Sequence, residues 1–85
     1  MPDGAPAVAV VNRIKRAQGQ LSGVLRMLEE GRDVQEVVNQ LKAVSRALDR
    51  AGFAIIAAEM IEVTSRGAVS DDDLAQLERF FLSLA

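Results

Sequence analysis

The sequence predicts an all-α protein: three helices, with a long central one folded against the first as an antiparallel hairpin. Two observations carry that reading. Between residues 33 and 64 the apolar side chains fall at Val34, Val37, Leu41, Val44, Leu48, Ala51, Ile55 and Ala58, alternating three- and four-residue steps over more than three heptads. Hydrophobic residues make up 49% of the chain and aromatics only 4%, a composition that suits helix-on-helix packing better than a sheet.

Taken in order, residues 1–6 hold both prolines and a glycine and are expected to form a disordered lead. A first helix is expected over about 7–30, with Val10, Ile14, Ala17, Leu21, Val24 and Leu28 as its seam. Gly31 is placed to end it in the left-handed conformation, and Asp33 with Glu36 makes a capping box for the central helix, expected over 33–65. So short a connection folds the two helices back on each other. Only Gly52 is a weak helix former inside the central helix, at a local cost of about 1 kcal/mol relative to alanine. Gly67 supplies the next stop, Ser70 with Asp73 repeats the capping pattern, and Asp71, Asp72 and Asp73 suit the positive end of a third helix over 71–84. That helix carries Leu74, Leu77, Phe81 and Leu84, with Phe80 alongside. Residues 7–85 read as one helical domain.

The central segment would be roughly 48 Å long, against a diameter of about 30 Å for a compact chain of this size. A second apolar row, Val38, Phe53, Ile56, Met60 and Val63, lies beside its seam. A protruding helix of that kind needs cover from another chain, so an obligate homo-oligomer is expected.

With no cysteine and no histidine, the 85 residues exclude disulfides, thiolate chemistry, imidazole catalysis and soft-metal sites. Met27 and Met60 stand alone and read as packing. Carboxylates pair at Glu59 and Glu62 and run from Asp71 to Asp73, but no nucleophile or phosphate loop accompanies them, so an enzyme is not expected and no cofactor is implied. The apolar run from Ala5 to Val11 is too short to span a membrane and lacks a basic flank, so a cytoplasmic, membrane-free chain is expected.

Net charge is −2, unevenly spread. Residues 1–28 carry Arg13, Lys15, Arg16 and Arg26 against Asp3, and the remainder is acidic. Arg13, Lys15 and Arg16 fall on the side of the first helix away from its seam, continued by Gln18, Gln20 and Arg26, and Lys42, Arg46 and Arg50 form a ladder at four-residue spacing. Two basic stripes suit a polyanion. They also suit plain solvated faces, with Glu36 and Asp49 neutralising part of the ladder; charge alone leaves both readings open.

Four stretches narrow the choice: Arg13-Ile-Lys-Arg-Ala-Gln-Gly-Gln20, Met27-Leu-Glu-Glu-Gly-Arg32, Asn39-Gln-Leu-Lys-Ala-Val44 and Ala47-Leu-Asp-Arg50. Together they resemble the CsoR/RcnR family of bacterial metal- or thiol-sensing repressors, over about residues 11–64. The resemblance implies a dimer forming a four-helix bundle, assembled as a tetramer, that binds double-stranded operator DNA without a helix-turn-helix reader. It places DNA-binding arginines at Arg13 and Arg50; Lys15, Arg16, Lys42 and Arg46 join them on the stripe argument. Such a face mainly grips phosphates and senses duplex shape, so binding should depend steeply on salt.

The copper-sensing members of that family place a cysteine just after the turn, then a histidine and a second cysteine near the end of the long helix. The matching positions here are Val34, Glu59 and Val63, none of which supplies a thiolate or imidazole. Val34 and Val63 are expected to pack as filled core, and Glu59 to form an interface ion pair or face a pocket for a hard cation or organic effector. The expectation is therefore a DNA-binding repressor of this family without the usual Cu(I), Ni(II) or thiol site, its effector unknown. The alternative is a non-sensing helical subunit that joins a ligand-bearing paralogue in mixed oligomers; Ser22, where the family often carries a basic residue, favours it.

Overall fold

The computed structural model describes residues 4–85, and Met1, Pro2 and Asp3 lie outside it, so the disordered reading of those three stands outside the described residues. Three helices follow in order: α1 (Ala5–Glu29), α2 (Val34–Ser65) and α3 (Asp71–Leu84). The first helix begins two residues earlier than the sequence predicts. Pro6 sits in its first turn, where a fixed φ near −65° suits the helix and the missing N–H has no partner to lose.

The turns follow their local chemistry closely. Gly31 has a φ of +66°, and behind it the Arg32 N–H donates to the Met27 carbonyl at 2.9 Å while the Gly31 N–H donates to that of Leu28 at 3.2 Å. This is the paired bonding of a Schellman end. Asp33 caps α2 by accepting from the Gln35 N–H at 3.2 Å. Glu36 does not complete the expected capping box. Arg32 draws its carboxylate outward, at 3.0 Å from Nε and 2.8 Å from the guanidinium terminus, and that hydrogen bond raises the pKa of Arg32. At the second turn Gly67 has a φ of +113°, and the Ser70–Asp73 capping box is complete, at 3.0 and 3.1 Å.

Helices α1 and α2 pack as an antiparallel hairpin, and α3 packs on the C-terminal half of α2. The buried residues are Val10, Ala17 and Val24 on α1 and Val44, Ala51, Ile56, Ala58 and Val63 on α2. The contact thus uses one residue per heptad of α1, and the other half of its expected seam, Ile14, Leu21 and Leu28, is exposed. On α2 the same division leaves Leu41, Leu48 and Ile55 open. A helix in contact with one neighbour buries a narrower stripe than these sequences offer. The adjoining row divides too: α3 covers Ile56 and Val63, while Val38, Phe53 and Met60 stay exposed, Phe53 with its ring 5.5 Å from that of Phe81. Gly52 has a packing reason, because a Cβ there would lie 3.0 Å from the Leu84 side chain.

The molecule is flat and long, 54 × 25 × 12 Å, with a radius of gyration of 16.6 Å. A compact chain of this length would have one of about 12 Å. Its accessible surface is 6233 Å², against about 4,900 Å² for a globular monomer of this mass. A layer one helix thick has no second layer of its own to cover its faces.

Candidate nucleic-acid interface

The helix stripe that α1 turns toward α2 runs through Val10, Arg13, Ala17, Gln20, Val24 and Met27, at the same three-four spacing as the expected seam but rotated from it. Arg13 and Arg16 therefore do not point away from the hairpin, as the sequence suggested. They line a cleft of about 90 Å³ between α1 and α2, together with Gln20, Ala47 and Arg50. The small side chain of Ala47 leaves room for the α1 arginines, and Arg50 follows it by three residues on the same face.

Three arginines thus line one cleft. Among the described residues the ion pairs are those of Arg32, with Glu30 at 3.6 Å and Glu36 at 2.8 Å. Neither Glu36 nor Asp49 forms an ion pair with Lys42, Arg46 or Arg50. Like charges held close without a carboxylate between them leave a positive potential that an incoming anion relieves. Gln20 adds an oddity: its Oε1 is buried and has no hydrogen-bond partner among the described residues. The residue was not singled out as a site residue, although it lies seven positions from Arg13, which places both on one helix face.

Lys15, Lys42 and Arg46 are exposed and lie outside the cleft lining. They are available to a broad surface and contribute nothing to the convergence. Of the three positions matching the family's metal ligands, Glu59 and Val63 lie one turn apart on α2, and Val34 does not join them within one chain. Val34 and Val63 stand at opposite ends of α2, about 44 Å apart by helical rise. Val34 is 75% exposed, so it does not pack as filled core within the chain; Val63 does, being buried under α3. Glu59 is partly buried at the α2–α3 boundary. Among the described residues no cluster of His, Cys, Asp or Glu could hold a metal ion, and the donor set of two valines and one carboxylate does not fit copper or nickel.

Residues 7–82 match the family described as metal-sensitive transcriptional repressor. The chain belongs to that family. The copper-sensing transcriptional repressor CsoR of Mycobacterium ulcerans is 42% identical over 48 residues, which cover 56% of this chain and 41% of the relative. The CsoR of Mycobacterium tuberculosis (strain H37Rv) is likewise 42% identical over 48 residues, covering 56% and 40%. The matched segment thus spans about two fifths of these relatives' length. Among solved structures, the nickel-responsive transcriptional regulator InrS superposes with a TM-score of 0.76 at 34% identity, covering 91% of this chain and 90% of that one. Among the described residues the architecture is three helices without a strand, that of the family, and the family's members are transcriptional repressors rather than enzymes. Among the described residues no helix is long and apolar enough to cross a membrane.

Proposed function

We propose that this protein is a cytoplasmic, homo-oligomeric repressor that grips operator DNA through the α1–α2 face and does not sense copper, nickel or thiols through the family's usual ligands. The observation that carries the reading is the cleft where Arg13, Arg16 and Arg50 converge without an acidic partner. Guanidinium groups suit phosphate oxygens because their fork of donors pairs with two oxygens at once. Lys15, Lys42 and Arg46 widen the positive field around that centre. An acidic chain can bind DNA in this way because none of its described acidic residues lines that cleft, and Asp71, Asp72 and Asp73 lie at the start of α3.

Contacts of this kind orient a protein on the duplex and read its shape more than its base edges. The absence of cysteine and histidine from the whole chain supports the second half of the reading.

The test is fluorescence anisotropy of the purified protein on the duplex upstream of its own gene, titrated across salt and repeated with Cu(I), Ni(II) and Zn(II). Tight, salt-sensitive binding indifferent to all three metals is the expected result. Each phosphate contact contributes about −0.9 to the slope of log affinity against log salt, so removing Arg13 and Arg50 together should flatten that slope by about two for each protomer on the DNA. Unchanged affinity in the double variant would refute the assignment of this face. Binding no better than to random duplex would overturn the operator reading and leave the mixed-oligomer subunit in its place.

A further inference from the structure

A larger recess lies between the C-terminal half of α2 and α3. Its apolar lobe, about 440 Å³, is walled by Gly52, Ile55, Ile56, Ser83 and Leu84. A second lobe of about 220 Å³ continues past Val63, Arg66, Asp73 and Gln76. Glu59 and Phe80 line both, so the lobes meet at one carboxylate and one aromatic ring.

The charges around that meeting point do not cancel. Arg66 donates from Nε to the Glu62 carbonyl at 3.4 Å, and its charge also acts on Asp73. Among the described residues Glu59 has no cation within ion-pair distance. A carboxylate at the rim of an apolar recess with no ion-pair partner attracts a cation, best one whose remainder is apolar. The apolar lobe offers one carboxylate among isoleucine, leucine and phenylalanine, and Asp73 in the second lobe is tied to the Ser70 N–H, which leaves too few oxygens for a bare hard cation. The same carboxylate repels an anion.

We propose that the α2–α3 cleft binds an amphipathic organic cation, its apolar body between Ile55, Ile56 and Leu84 and its ammonium between the Glu59 carboxylate and the Phe80 ring. The apolar lobe falls within the range of about 300–1,000 Å³ usual for small-molecule sites, and one placed polar group in an apolar lining is how such sites orient a ligand. An ammonium over the face of Phe80 gains from the ring quadrupole as well as from the carboxylate. A helix of a second copy is the competing occupant; it would have to bring its own basic group to Glu59 and close the cleft.

The test is isothermal titration of the 85-residue protein, in its own oligomeric state and without DNA, with 4-phenylbutylamine, 4-phenylbutanol and 4-phenylbutyrate. The absence of DNA keeps this result separate from the fate of the repressor reading. The amine is expected to bind at least about tenfold tighter than the alcohol, and the butyrate most weakly. Glu59→Gln should remove the preference for the amine while leaving the alcohol unchanged. Ser83→Leu, which fills the apolar lobe without touching the carboxylate, should weaken the amine by about tenfold or more, so the site remains testable if the first variant fails to fold. Amide shifts in a ¹⁵N spectrum should concentrate at Gly52, Glu59, Phe80 and Leu84. Equal affinity for the three probes, a preference for the amine that survives Glu59→Gln, shifts on other helices, or no binding because a second copy closes the cleft would each overturn the proposal.

Discussion

The start of α3 shows how much two side chains can decide. Ser70 Oγ accepts from the Asp73 N–H while the Asp73 carboxylate accepts from the Ser70 N–H, so the box satisfies two groups that a helix start otherwise leaves to water. Ser70→Ala should cost about 1 kcal/mol, measured as a shift in urea midpoint by far-UV circular dichroism. The same bonds, the backbone donation from Ser70 first, hold the Asp73 carboxyl below its ordinary range, helped by the charge of Arg66. An unfolded aspartate takes its proton near pH 4, while the folded one releases that proton until the solution is more acidic. The unfolded state therefore binds more protons in that interval, and stability rises with pH through it. The contribution should be whole above about pH 4 and fade as pH falls below that. Urea midpoints measured from pH 5 downward should fall less steeply in Asp73→Asn than in the parent.

At the scale of elements, α3 is attached to the rest through α2 alone. Its contact is Phe81 on Phe53, Leu84 on Gly52, and a lining of Leu77 and Phe80, with no residue of α3 buried. Ala51, fully buried where the hairpin and this attachment run close, shows the opposite extreme. An element with few buried apolar contacts opens at lower free energy than the core. Phe81→Ala removes an aromatic contact that is half exposed, so the loss should be about 1–2 kcal/mol, below the figure for a buried ring. Hydrogen exchange should place that loss: α3 amides should exchange faster while those of α1 and the N-terminal half of α2 hold their protection.

For the whole molecule, shape is the informative quantity. A slab 12 Å thick with Ile14, Leu21, Leu28, Leu41 and Leu48 all open to solvent presents apolar rows that nothing in its own chain covers. These rows fit the homo-oligomer proposed above, because a second hairpin laid on them would complete a four-helix layer. Leu21→Glu with Leu48→Glu places four charges per dimer in that interface. The double variant should sediment as a monomer, and the parent's melting temperature should rise with protein concentration while the variant's does not. A parent that sediments as a monomer would refute the assignment of these faces.

Much was legible from the residues alone. Helix number and type, both glycine turns, the second capping box and the family all follow from short-range signals: period, cap chemistry and a positive φ that only glycine adopts freely. What the sequence left open was rotation. Rows such as Ala17 and Leu21, or Val44 and Leu48, are equally apolar, and period alone does not say which faces the partner helix. The tertiary structure made that choice, and with it moved Arg13 and Arg16 to the hairpin contact beside Arg50, brought Gln20 into the same cleft, and opened Val34 to solvent. It also drew Glu36 away from its cap to Arg32, because a guanidinium within reach outcompeted the backbone N–H. Local signals determined the helices; which surfaces meet was decided by packing, since only there do size and distance across the chain enter the free energy.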